Sequence, residues 1–424
     1  MEIMFNISDF DTIQEALNLS KQNEITEIYF PDGEYLIDDT LRIYGNTEII
    51  LSDNAILKKN NDSYNVMIIN GDFDEEYEAY NGNSNITIKG GILDGNFELN
   101  SQSNLMSFGK CENILIEGVT FKNVINNHHL EFSGAKNVVV KDCKFSGYKD
   151  ITNNKSRSYC EAIQISSHSK AGFPFFGTWD RTPCENITVE NCLFENVATG
   201  IGSHGGLQGV WDNQIKITNN TFKNCTYAGV RNYKFKNCII SDNIFDNCRI
   251  GVLGSFSPTN IKSGREYTES LEDFIISNNT FSNNKDSDIC HSSQIFIMGG
   301  SVTPDDYAYA NKIRIRNNSF NNIEQIAIRL QLCNDVVVSE NTVKGCKSFL
   351  YGDFVDYANI TNNTVKGAAE YGIIITKLNS IPMSLDTKNK FNIITDNFFE
   401  NIGKSHVSLN YDIESFVINN LMGN

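Results

Sequence analysis

The 424-residue chain lacks several things, and each absence narrows its function. No apolar run is long enough to span a bilayer, so no membrane partner is expected. The opening "MEIMFNISDF" has no basic stretch followed by an apolar one, so no signal peptide is visible. On that reading the chain is cytoplasmic or virion-associated, or secreted with its signal trimmed. Basic residues are outnumbered, 35 Lys and Arg against 52 Asp and Glu. A net charge of −17 disfavours nucleic acid and anionic membranes as partners. The eleven cysteines are odd in number and show no zinc-knuckle spacing. They read as buried reduced thiols, and neither a metal nor a cofactor is expected. Helical periodicity is missing from most of the chain, and so is the L-x-x-L-x-L frame of a leucine-rich repeat.

What fills the chain instead is a repeat. "NILIEGVTFKNV", "NVVVKDCKFSGY", "NITVENCLFENV", "NCIISDNIFDNC" and "KIRIRNNSFNNI" each hold an alternating β stretch, a polar corner and a bulky apolar residue. The bulky residues are Phe121, Phe145, Phe194, Phe222, Phe245, Phe281, Phe320, Val343, Val365 and Phe399. Their short spacings are 22 to 24 residues, and the longer ones fit the same coil with a loop inserted. A second short strand lies between the units, as in "HLEFSG", "EAIQIS", "TGIGSH" and "QIAIRL". Such a period with β alternation means a solenoid. Three strands per coil, each pairing with its equivalents about 4.8 Å away, make an all-β, right-handed parallel β-helix.

The corner positions align Asn220, Asn243, Asn279, Asn318, Asn341, Asn363 and Asn397, with Cys143 and Cys192 at the same corner earlier. Stacked asparagines there satisfy buried backbone groups. The first segment differs: "SDFDTIQEALNLSKQN" predicts an amphipathic helix over about 9–22, capped by Ser8 or Asp11, with Ile13, Ala16 and Leu17 inward. Residues 1–40 are expected to cap one continuous β-helix domain over 41–424.

Over almost its whole length the chain resembles the pectin-lyase-like superfamily. "FPDGEYLI" followed by "GGILDGNF" is similar to the start of polygalacturonase-type glycoside hydrolases and related phage tailspikes. That family carries N-T-D-G, D-D-C-I-A-I, G-H-G…I-G-S and R-I-K on successive coils. The corresponding places here read "NNHH", "CEAIQI", "GIGSHG" and "VRNYK". The resemblance implies that Asn126 matches the family Asn, Glu161 the second Asp of the pair, Gly202 and Ser203 the Gly-Ser, and Arg231 the substrate-gripping Arg. His128 stands where one catalytic Asp is expected and Cys160 where another is. Tyr233 takes the Lys position, with Lys234 beside it.

Aligning the middle strands by their inward residues gives candidate columns. Leu130 and Phe132 match Ile163 and Ile165, and Ile201 matches Ile165, which sets His168 level with His204. The outward column reads Glu131, Gln164, Gly202, Arg231, and another sets His128 beside Glu161. Inverting hydrolysis needs two carboxyl groups roughly 6.5–9.5 Å apart, a role open to Glu131 and Glu161. β-Elimination needs a base near a uronate C5, a role open to His128, His204 or Tyr233 with Arg231 on the carboxylate. Substrate contacts are expected from Trp179 and Trp211, which sit in loops after two central strands, and from His129, Gln164, His168, Gly202, Tyr233, Lys234 and Arg329. The loops at 256–272 and 301–311 would extend that wall.

The expected function is therefore cleavage of a polysaccharide or oligosaccharide in a groove along the central coils, with a glycoside hydrolase ahead of a polysaccharide lyase or uronate epimerase. A non-catalytic glycan-binding β-helix, adhesin- or tailspike-like, is the reading from a different class.

Overall fold

The computed structural model describes residues 4–21, 25–203, 205–207, 209–255, 271–284, 293–303, 306–377, 389–410 and 412–423. Its contacts divide the chain into two compact units: Met1–Ser203 with Val210–Lys216, and His204–Gly209 with Ile217–Asn424.

In the first unit every strand pair is parallel and in register among the described residues, and side chains of alternating parity fill three inward columns. One column is Ile28, Ile49, Ile88, Ile116, Val140 and Val189. A second is Leu57, Leu93, Phe121, Phe145 and Phe194. The third is Leu41, Ile68, Met106, Leu130, Ile163 and Ile201. All are buried. This is the right-handed parallel β-helix that the repeat predicts. The coils begin before residue 41: Thr26–Phe30 pairs with Thr47–Leu51, and Met4–Asn6 pairs with the strand at 26–30.

The second unit repeats the plan. Ile240, Ile276, Ile315, Val338, Ile360, Ile394 and Val417 form one column. The bulky residues form another, from Phe222 through Phe245, Phe281 and Phe320 to Val343, Val365 and Phe399. Their rings stack face to face, 4.8 Å apart for Phe222 and Phe245 and 4.9 Å for Phe281 and Phe320. In-register strands set that spacing, so identical residues on successive coils pack on one another. Among the described residues one short hairpin, Gly300–Thr303 with Asp306–Ala308, is antiparallel.

The corner asparagines form a continuous ladder in the second unit. Asn279 Oδ1 accepts from both the backbone N–H and Nδ2 of Asn243, at 2.9 and 3.0 Å. Asn279 Nδ2 donates to Asn318 Oδ1 and to the Ile240 carbonyl, each at 3.0 Å. The same pattern runs from Asn220 to Asn397 and one rung further, to Asn420. In the first unit the thiols of Cys143 and Cys192 take over, pointing at the carbonyls of Ile116 and Val140. The described cysteines are buried and unbridged.

The N-terminal helix is shorter than expected, Ile13–Leu17 followed by a 3-10 turn to Lys21. Its cap is Thr12, whose Oγ1 accepts from the Glu15 N–H at 3.2 Å, in place of Ser8 or Asp11. Asn6 caps a separate 3-10 turn over Ile7–Asp9, which removes Ser8 from the helix start. Ala16 and Leu17 are buried as predicted.

Replacing Asn279 by Leu removes an acceptor from Asn243 and a donor from the Ile240 carbonyl. The expected cost is on the order of 1–3 kcal/mol, read as a lower melting temperature in thermal denaturation.

Candidate functional site

In the first unit the outward residues of the third strand column are Ser107, Glu131, Gln164 and Gly202, one rung apart. The Glu131–Gln164–Gly202 column is the expected one. The inward match is not: Ile201 lies opposite Ile163, two residues from Ile165. The register that would set His168 level with His204 is therefore not the observed one. His204 lies outside the described residues, as does most of the 256–272 loop.

Glu131 is 2% exposed. Its Oε2 accepts from Asn104 Nδ2 at 2.6 Å and from Ser107 Oγ at 2.9 Å. Burial penalises the charged form more than the Ser107 bond favours it, and the carboxyl is pushed up to about 7. Asn104 also accepts from the His128 N–H, so one amide holds two points of the next coil.

His128 and Glu161 are brought together as expected. The register of Leu130 with Ile163 sets them level, and Nδ1 of His128 lies 4.0 Å from Glu161 Oε2. The closer contact is to the backbone: Nδ1 donates to the Glu161 carbonyl at 2.7 Å. His128 is 3% exposed and Glu161 0%. Both are walled in, which differs from groups lining an open cleft.

Two other histidines leave the groove. His129 faces the interior, where Nε2 contacts the carbonyls of Ser146 and Gly147 at 3.2 Å and the ring meets Phe145 edge-on. Burial holds its pKa down at about 4, so it stays neutral. His168 Nε2 donates to the Phe176 carbonyl at 3.0 Å, and Nδ1 faces Ser133. Burial pushes its pKa down too, and Lys110 adds to that. Asn126 is equally structural: its Oδ1 accepts from the Ile151 N–H.

The insertion after the strand Glu161–Ser166 folds back on the coils as a wall. Phe173 and Phe176 pack with Val66 and Ile69 into a small buried cluster. Gly109 makes this possible, because a Cβ there would meet Phe173 at 2.6 Å. The buried Lys110 pairs with Asp180 and with Thr182 Oγ1, and holds the Asp180 carboxyl well below the usual range. Trp179 is only half-buried at the surface of this wall, its Nε1 donating to the Phe173 carbonyl and Lys170 Nζ 4.8 Å over its ring. Trp211 is also half-buried. The sequence left open that this loop folds back over the coils with its aromatics as a small core, which is what Phe173 and Phe176 do; the Lys110 anchor had no visible signal.

The second unit carries the remaining candidates. Arg231 is buried with Tyr227 and Tyr233, its guanidinium 5.0 and 4.4 Å from their rings, and Nη2 donates to Tyr233 Oη at 2.6 Å. Lys234 is buried, and Gly206 lies so close that a Cβ there would meet its Cγ at 2.0 Å. Arg329 lies over Phe296 at 4.8 Å, and its strand neighbours in register are Phe296 and Tyr351. Among the described residues no group of three or more His, Cys, Asp or Glu is arranged to hold a metal.

Stacked inward columns, polar corners and an outward polar face define a class, and the chain belongs to it. The family model for the right handed beta helix region matches residues 79–230 and 205–387, so this is a right-handed parallel β-helix protein. Among particular proteins, it is 26% identical to plasmin and fibronectin-binding protein A of Streptococcus pneumoniae over 450 residues, 94% of this chain and 61% of that protein. It is 23% identical to the uncharacterized protein YclG of Bacillus subtilis, over 58% of this chain and 46% of YclG. The chain thus spans less than two thirds of the length of these relatives. The crystal structure of PfbA, a surface adhesin of S. pneumoniae, superposes with a TM-score of 0.75 at 23% identity, covering 88% of this chain and 91% of that one. A family 28 exopolygalacturonase of Yersinia enterocolitica gives 0.60 at 12%, covering 100% and 78%. At these identities the likeness to solved structures is one of fold.

Glu131 generates a pH prediction. Its carboxyl holds its proton in the fold to about pH 7, and from an ordinary value of 4.5 in the unfolded chain. The fold therefore binds the extra proton between those values, and its stability falls as pH rises through them, then levels off. Glu131→Gln keeps an acceptor for Asn104 and Ser107 and cannot ionise. The variant is expected to gain on the order of 1–3 kcal/mol over the parent above about pH 8, and little below about pH 4. Urea denaturation of both proteins across pH measures the difference.

Proposed function

We propose that this protein is a non-catalytic, adhesin-like β-helix that binds a glycan on the outward face of its coils. The observation that carries the reading is the burial of two of the expected catalytic residues, Glu161 and His128. Glu161 is wholly enclosed, and His128 spends its Nδ1 proton on a backbone carbonyl. A group that transfers a proton to a glycosidic oxygen must lie within hydrogen-bond reach of it. Similarity over 94% of the chain to a protein named for binding plasmin and fibronectin supports the same reading.

A glycoside hydrolase is the second reading, favoured by one observation. Glu131 holds its proton near neutral pH, as a general acid does. The two are separated by incubating the protein with plant, capsular and host polysaccharides, and with fibronectin and plasmin. Retention, reducing ends and unsaturated products are measured together. Glycan retention without either product is expected. Reducing ends that disappear in Glu131→Gln would replace the binding reading with the hydrolase.

Trp179→Ala is expected to weaken glycan retention several-fold while the melting temperature changes little, because Phe173 and Phe176 form the core of the wall. Titration of the retained glycan against both proteins, with parallel melting curves, checks this. Loss of folding would make Trp179 part of the wall's core.

A further inference from the structure

A recess of about 530 Å³ opens at one corner of the second unit. Strand register shows how it is made. The second residue after each stacked bulky residue is, on six successive coils, Asn247, Asn283, Asn322, Gly345, Gly367 and Asn401. All six turn the corner at positive φ, 51–57° for the asparagines and 77° for both glycines. Asparagine tolerates this conformation, because its short polar side chain bonds locally. Nor is room lacking. A Cβ on Gly345 would meet nothing within 4 Å, and one on Gly367 only the Gly345 backbone at 3.8 Å. Neither the turn nor the space therefore demands glycine. What the two glycines do is leave two carboxamides out of the column, and their bare backbone lines the recess. Elsewhere the column bonds from coil to coil: Asn247 Nδ2 donates to Asn224 Oδ1 at 2.8 Å, and Asn283 Nδ2 to Asp246 Oδ1 at 2.7 Å.

The rest of the lining is mixed. Asn283, Asn322 and Glu324 are exposed at the rim, with Lys347 half-buried beside them. Ile323 and Cys346 are 1% and 7% exposed and give an apolar floor, with Ala369 at its edge. Four coils contribute, so the recess runs on the order of 14 Å along the solenoid.

We propose that this recess binds the acetamido group of an N-acetylated hexosamine within a glycan. The proposal rests on the glycan-binding reading and names both the place and the sugar class. An asparagine side chain is chemically an acetamide. An acetamido substituent therefore brings the carbonyl acceptor and an N–H donor that the column lacks at Gly345 and Gly367. Asn322, one rung away, offers a donor and an acceptor to it. The acetyl methyl covers Ile323, Cys346 and Ala369, apolar surface that a hydroxyl would not use. The ring hydroxyls take Glu324 as acceptor and Lys347 as donor. A plain hexose leaves the recess unfilled, and a free amino sugar brings a charge and no carbonyl.

The test uses the full chain and ligand-observed NMR titration. The probes are methyl glycosides of N-acetylglucosamine and N-acetylgalactosamine, set against those of glucose, galactose and glucosamine. At least one N-acetyl glycoside is expected to bind about tenfold more tightly than its parent hexose. Gly345→Asn and Gly367→Asn restore the column and close the recess. Each is expected to weaken that binding about tenfold or more, with the melting temperature unchanged or raised, since glycine costs more chain entropy on folding. Glu324→Ala, a change at an exposed side chain, serves as the second kind of variant and should weaken binding several-fold. Equal affinity for an N-acetyl glycoside and its parent hexose, or unaltered affinity in folded Gly345→Asn and Gly367→Asn, overturns the recess as the site while leaving glycan binding intact. If the parent protein retains no polysaccharide and binds none of the probes, the glycan reading itself fails, and this site with it.

Discussion

The fixed spacing between parallel, in-register strands is the constraint on which the rest of the molecule depends. Each residue on one coil sits a single strand spacing from its equivalent on the next, so whatever a position contributes, it contributes as a column. Apolar residues give stacked cores. Phenylalanine gives ring stacks 4.8 to 4.9 Å apart. Asparagine at the corner gives a ladder whose every rung satisfies the backbone of the rung before it. A single unmatched residue in such a column is felt by both neighbours.

The same constraint shapes the outward face. Glu131, Gln164 and Gly202 are neighbours only because their strands are in register, although 71 residues separate the first from the last. Each carries a different group, so the column has no repeating partner to satisfy it. Glu131 is held by Asn104 and Ser107 from the preceding coil, while the amide oxygen of Gln164 is buried without a hydrogen-bond partner. A regular column stabilises the coil, and an irregular one leaves a buried polar atom unpaired. The wall beside it follows a different physics, with a buried aromatic cluster and one enclosed Lys110–Asp180 pair anchoring an insertion to the solenoid.

Fold likeness to an exopolygalacturonase and to a streptococcal adhesin is compatible with both chemistry and binding, because a β-helix is a scaffold for either. What separates the two is the state of particular side chains. His128 bonded to a carbonyl and Glu161 enclosed beside it describe a packed polar core more than a reacting pair. Glu131 is the carboxyl with acid character on this face.

The repeat, the three strands per coil, the asparagine ladder and the Glu131–Gln164–Gly202 column were all legible in the sequence, because a fixed period of alternating residues leaves few other ways to bury them. Sequence placed His128 beside Glu161 for the same reason. It set Ile201 against Ile165 where the strands set it against Ile163, because the loop inserted between Ser166 and Glu185 lengthens that coil and hides the relative start of the two strands. It read His129 and His168 as groove residues, yet alternation lapses at strand ends, where a side chain follows the nearest unfilled carbonyl: those of Ser146 and Gly147 for one, that of Phe176 for the other. Thr12 in place of Ser8 or Asp11 reflects a 3-10 turn with its own cap. Local pattern was enough to determine what stacks on what. Which polar groups are enclosed, which proton is held and which oxygen is left unpaired depended on contacts between segments far apart in the chain, and those only the tertiary structure decided.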